Sequence, residues 1–237
     1  MIFVSMVGAG SLAVAADVLV LKNGQSREGE VLGVSDGKVT LKVGPAQSAI
    51  PLDQIESAIV APPDELATAQ QTKASGNSAR ALIEVRPIVE KYAGLPAPWV
   101  GHAYALLGDS LLELDQVAEA EKVFKRFTEL YPDAGDLSAV SIARLDVAKD
   151  DFAAAKEKLE PIIAEASGIK SAESTKSATY GRAFLLMGQV KESEGDLQEA
   201  LSDYLMTVTV FYADAAAVAE AQERATKLVD EKNVIAP

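Results

Sequence analysis

The strongest constraint on this chain lies between Pro98 and Pro132, PWVGHAYALLGDSLLELDQVAEAEKVFKRFTELYP. It reads as two helices around a polar turn at Leu114-Asp115-Gln116, with Pro132 ending the second. Gly108 falls inside the first helix, where glycine costs about 1 kcal/mol against alanine. A close crossing of the two helices accounts for it, with Ala120 facing Gly108 and Phe124 and Phe127 following.

The spacing recurs. Gly108 and Ala120 are 12 residues apart, as are Ala143 and Ala155, Gly188 and Ala200, and more faintly Ala69 and Ala81. Each second member is followed at fixed intervals by larger side chains: Leu159 and Ile162, Tyr204 and Thr207, Val85 and Ile88. Polar turns at Gly76-Asn77-Ser78, Lys149-Asp150-Asp151 and Glu194-Gly195-Asp196 precede the second helices. Small, small, aromatic and proline in this order resemble the tetratricopeptide repeat, whose period is about 34 residues. The phrase GDLQEALSDY, ending at Tyr204, is similar to a typical second helix of that family. The resemblance implies a mostly α chain, a solenoid of about four helix pairs over 64–232, closed by a capping helix at 213–231. Two departures stand out. The interval from Ala155 to Ala200 is 45 residues, the excess lying in SGIKSAESTKS (167–177), a longer loop or helix extension. Pro161 is expected to kink or end the second helix of the third unit.

Residues 17–61 follow a different period. Lys38-Val39-Thr40-Leu41-Lys42-Val43 alternates polar and apolar as a half-buried strand does. Asn23-Gly24 and Asp36-Gly37 are two-residue hairpin signals, and Gly44-Pro45 ends the third strand. Five short strands in this span resemble a small SH3-like or Sm-like β-barrel, with Gly29 where such barrels bend their long second strand. The basic face of RNA-binding relatives is not implied by Lys22, Arg27, Lys38 and Lys42 alone. So small a unit buries little surface, which suggests docking on the helices or on a second copy. Ala61-Pro62-Pro63 marks the boundary, and Asp64 is positioned as an N-cap.

Met1–Ala16, MIFVSMVGAGSLAVAA, is too short to span a bilayer but fits a secretory signal closing on Ala13-Val14-Ala15. It lacks the usual leading basic residue, which leaves an upstream start or an atypical signal as the two readings of a leader; a buried first strand is the alternative. Export to the periplasm or otherwise to the cell envelope is the expectation, with no stable membrane span in the mature chain.

Composition narrows the chemistry. The net charge of -13 argues against nucleic acid and anionic membranes as partners. There is no cysteine and one histidine, so no thiolate site, no multi-histidine metal site and no cofactor is expected. Ser167-x-x-Lys170 and Ser35-x-x-Lys38 match a serine–lysine spacing without the companion motifs of that chemistry. In tetratricopeptide proteins the first helices line a concave groove for a peptide. Carried over, the candidates are His102, Ala105, Asp109, Leu112, Leu137, Val140, Arg144, Arg182, Leu185 and Gln189. The two arginines could pair with a carboxylate of a partner or with neighbours such as Asp146 and Glu192. Trp99 is read as stapling its helix start into the core. The expected function is a non-enzymatic protein-binding scaffold of the bacterial envelope; the alternative is a structural subunit that assembles into a homo-oligomer through barrel and repeats.

Overall fold

The computed structural model describes residues 16–169 and 174–235, so the expected signal segment 1–16, apart from Ala16, lies outside the described residues. The chain divides into two compact units, 1–61 and 62–237.

The first unit is a five-stranded antiparallel sheet: β1 (Asp17–Leu21), β2 (Ser26–Ser35), β3 (Lys38–Val43), β4 (Ala46–Pro51) and β5 (Ile55–Ile59). Its order is β4-β3-β2-β1-β5. Leu19, Val31, Val39, Leu41 and Ile55 form the buried face. The Asp36-Gly37 signal is realised as a two-residue turn, both residues having positive φ, between the paired Ser35 and Lys38. The Asn23-Gly24 signal becomes a longer loop: Leu21 accepts from the Gly24 N–H and donates to the Gln25 carbonyl, with Gly24 left-handed.

The expected barrel is not closed. β4 and β5 are the two edges, and no ladder joins them among the described residues. The sheet is nevertheless strongly curled, for a geometric reason. Only the 3-10 turn Leu52–Gln54 connects the two edges, a reach of about 14 Å at most. A flat sheet would hold its first and fifth strands about 19 Å apart. The curl is built into β2, whose first half pairs with β1 up to Gly29 and whose second half pairs with β3 from Glu30. A Cβ at Gly29 would lie 2.5 Å from the Lys42 carbonyl oxygen, so only glycine permits this approach.

The second unit contains, among the described residues, α1 (Asp64–Ala74), α2 (Ser78–Tyr92), α3 (Pro98–Leu112), α4 (Val117–Leu130), α5 (Gly135–Ala148), α6 (Phe152–Ala166), α7 (Ser174–Glu194), α8 (Leu197–Thr209) and α9 (Ala215–Asp230). Four antiparallel pairs and a final helix result. The turns inside the pairs share one construction. Gly76, Asp115, Asp150 and Gly195 all have positive φ. The next N–H in each case bonds back five residues, the 6→1 bond of the Schellman pattern: Asn77 to Thr72, Gln116 to Leu111, Asp151 to Asp146 and Asp196 to Lys191. Asn77 and Asp151 then cap the following helices through their side chains. Asp64 does not cap α1; it is the first helical residue, with Pro63 in the cap position.

The close helix crossing at Gly108 involves the aromatic ring more directly than the alanine. A Cβ at Gly108 would clash with the ring of Phe124, and one at Gly188 with that of Tyr204. Ala120, Ala143, Ala155, Ala200, Phe124 and Tyr204 are fully buried. Two further glycines, Gly101 and Gly181, lie seven residues before these, on the same helix faces. A Cβ at Gly181 would strike the Phe211 carbonyl oxygen. Pro132 lies just beyond α4, whose C-cap is Tyr131. Pro161 does not end its helix: α6 continues to Ala166, with Ile162 and Ala166 buried and the Pro161 ring turned outward. An exposed ring avoids the core, and the helix forgoes one backbone bond at that point. Trp99 is half-buried and meets Tyr92 edge-on at 5.0 Å. Of the 167–177 stretch, Ser174–Ser177 belong to α7, while 170–173 lie outside the described residues.

Candidate functional site

The inner helices close into a ring. α1 packs on α3, α3 on α5, α5 on α7 and α7 on α9, and α9 returns to touch α1. The second helices α2, α4, α6 and α8 pack on the first helices of their own pairs. The open groove implied by the repeat resemblance is therefore a lumen, with α9 filling the gap between last and first pair.

Every inner helix contributes a stripe to this lumen. On α3 it is His102, Leu106, Asp109 and Glu113; on α5, Val140 and Arg144; on α7, Ala178, Arg182, Leu185 and Leu186. α1 supplies Gln70, Gln71, Lys73 and Ala74, and α9 supplies Asp214 to Ala217 with Glu220. The cavity measures about 360 Å³ and runs into a second of about 440 Å³ that shares Lys73, Glu113, Arg144 and Glu220.

A connected set of ion pairs crosses it. Arg182 donates to Asp109 at 3.0 Å and, through Nε, to Asp214. Arg144 reaches Glu220 at 3.3 and 3.4 Å and approaches Glu113 at 3.8 Å. Glu113 also accepts from Lys73 and from the Ser78 hydroxyl. Glu220 further accepts from the Gln189 amide at 2.7 Å and from Arg224 at 3.3 Å. The arginines thus pair with α3 and α9, not with Asp146 or Glu192. Burial opposes the charge on Arg182 and Arg144, yet the facing carboxylates outweigh it and raise both pKa values. Burial likewise opposes ionisation of Asp214 and Glu220, but the guanidinium groups hold both below their usual range. His102 is pushed down by burial and by Arg182, with Asp214 opposing, so it is neutral at pH 7.

Six of the candidate residues meet in the lumen: His102, Asp109, Val140, Arg144, Arg182 and Leu185. Leu112 and Ala105 do not; both are buried away from it. Gln189 acts one step back by holding Glu220, and Leu137 packs beside Gly101. The reason is angular. At 100° per residue, Leu106 and Glu113 fall within about 40° of His102, whereas Ala105 and Leu112 are rotated about 60° to 80° off. That period makes Glu113 legible from Asp109 on the same helix. Lys73, Asp214 and Glu220 carry no such signal, because their place depends on ring closure.

Among the described residues there is no group of three or more His, Cys, Asp or Glu side chains able to hold a metal ion, and no helix long and apolar enough to cross a membrane. No curated protein and no solved structure matches the chain. One family model does: residues 101–134, spanning most of α3 and all of α4, match the tetratricopeptide repeat.

Proposed function

We propose that this protein is a non-enzymatic scaffold of the cell envelope that is exported by its apolar leader and recognises a segment of a partner protein on the inner faces of α1, α3, α5 and α7. The observation that carries this reading is the convergence of four first helices on one charged surface, within a fold whose best-formed unit matches a protein-interaction repeat. Among the described residues that line the cavity with His102 there is no serine, threonine, tyrosine or cysteine.

The test avoids the arginines, because reversing either would set like charges against buried carboxylates and unfold the site. Ala178, half-buried on the lumen wall, is replaced by Trp instead. The wild-type chain is expected to capture an envelope protein from its native host, and Ala178→Trp to lose that capture while keeping its helical circular dichroism. Undiminished capture by the variant would overturn the site. Exported protein should begin at Ala16 or Asp17 on N-terminal sequencing, and an intact Met1 would overturn the envelope assignment.

A further inference from the structure

We propose that α9 is a built-in occupant of the recognition face, and that the partner it holds the place of is an acidic amphipathic helix. The inference rests on the scaffold reading and names the partner's chemistry. Both lumen arginines are engaged by α9 carboxylates, Arg182 by Asp214 and Arg144 by Glu220. These two acids, six residues apart, show what the face accepts: a segment presenting carboxylates about two turns apart.

The fit of α9 is incomplete. It turns only alanines between its two acids toward the lumen, and cavities of about 360 and 440 Å³ remain beside it. A well-matched helix would fill that space with larger apolar side chains. The apolar anchorage of α9 starts at Ala217, which also borders the lumen, and continues through Ala221, Ala225 and Leu228, packed with Leu185, Leu201 and Tyr204. Three of those four α9 residues are alanines, each burying less apolar area than a larger side chain would. The seam where α1 meets α9 borders the second cavity, whose lining includes Ala74, Gly76, Ala216 and Ala219. Helix α9 can therefore be exchanged at that seam for a partner that satisfies the same arginines and fills the lumen better.

The experiment uses the full chain and two synthetic peptides, read by fluorescence anisotropy. One peptide carries residues 211–232; the other carries the same residues with Ala213→Leu and Ala216→Leu. The enlarged peptide is expected to bind at least tenfold more tightly than the unaltered one. Neutralising its Asp214 and Glu220 equivalents to Asn and Gln should abolish binding. Because the chain lacks cysteine, an Ala74→Cys/Ala219→Cys chain can be joined across the seam with a bis-maleimide, the singly labelled Ala74→Cys chain serving as control. Binding should vanish in the clamped chain alone. Equal binding to clamped and control chains, or no binding of either peptide, overturns the proposal. If Ala178→Trp loses the native partner while the clamp leaves partner capture intact, the scaffold reading stands and the α9 exchange fails.

Discussion

At the level of single residues, the glycines and His102 carry distinct physical burdens. Gly108 leaves room for the Phe124 ring, so Gly108→Ala forces the ring or the helix to move. Alanine's better helix propensity, about 1 kcal/mol, works against that strain. Overpacking of about 1–3 kcal/mol is expected to win, lowering stability in urea unfolding. Gly168→Ala, where a Cβ meets nothing within 4 Å, is the control and should stay within about 0.5 kcal/mol. His102 couples stability to pH. Its folded pKa lies below the usual value near 6.5, so within that window the unfolded chain binds the extra proton. Stability therefore rises with pH there, and acidification from pH 7.5 towards 5 should weaken the fold. His102→Gln should flatten that part of the pH profile of denaturant midpoints. The carboxylates of Asp214 and Glu220 act lower, their contribution being lost only as pH falls through their depressed values.

At the level of elements, the four turns inside the helix pairs explain why the repeats stay in register despite unequal spacing. Each left-handed residue, with the five-residue back-bond of its successor, ends one helix and aims the next. Glycine does this at 76 and 195 and aspartate at 115 and 150, so residue identity alone marks only half of them. Pro161 shows the opposite case, a strong local signal overruled by packing. The hydrophobic stripe of Ala155, Leu159, Ile162 and Ala166 remains buried on one side, and that burial outweighs one missing backbone bond. Pro161→Ala should restore the bond to the Glu157 carbonyl. The gain exceeds the 0.4–1 kcal/mol lost by loosening the unfolded chain, so a net stabilisation of about 1–2 kcal/mol is expected in urea unfolding.

At the level of the whole molecule, the sequence by itself determined the helix pairs, their count, the sheet that precedes them and the small residues at the crossings. These follow from local periodicity, turn chemistry and glycine placement, which act over a few residues. The stripe of His102 and Asp109 was legible for the same reason, although Ala105 and Leu112 were assigned to it by a small angular error. Only the tertiary structure decided that the groove is a lumen. Closure depends on the small rotation between successive pairs, which accumulates until α9 meets α1. That sum brings Asp214 and Glu220 to Arg182 and Arg144 across sequence separations of 32 and 76 residues. Sheet closure was decided likewise, since a curl begun at Gly29 stops short of pairing β4 with β5. Local patterns fix the parts, and the angles summed between them fix what those parts enclose.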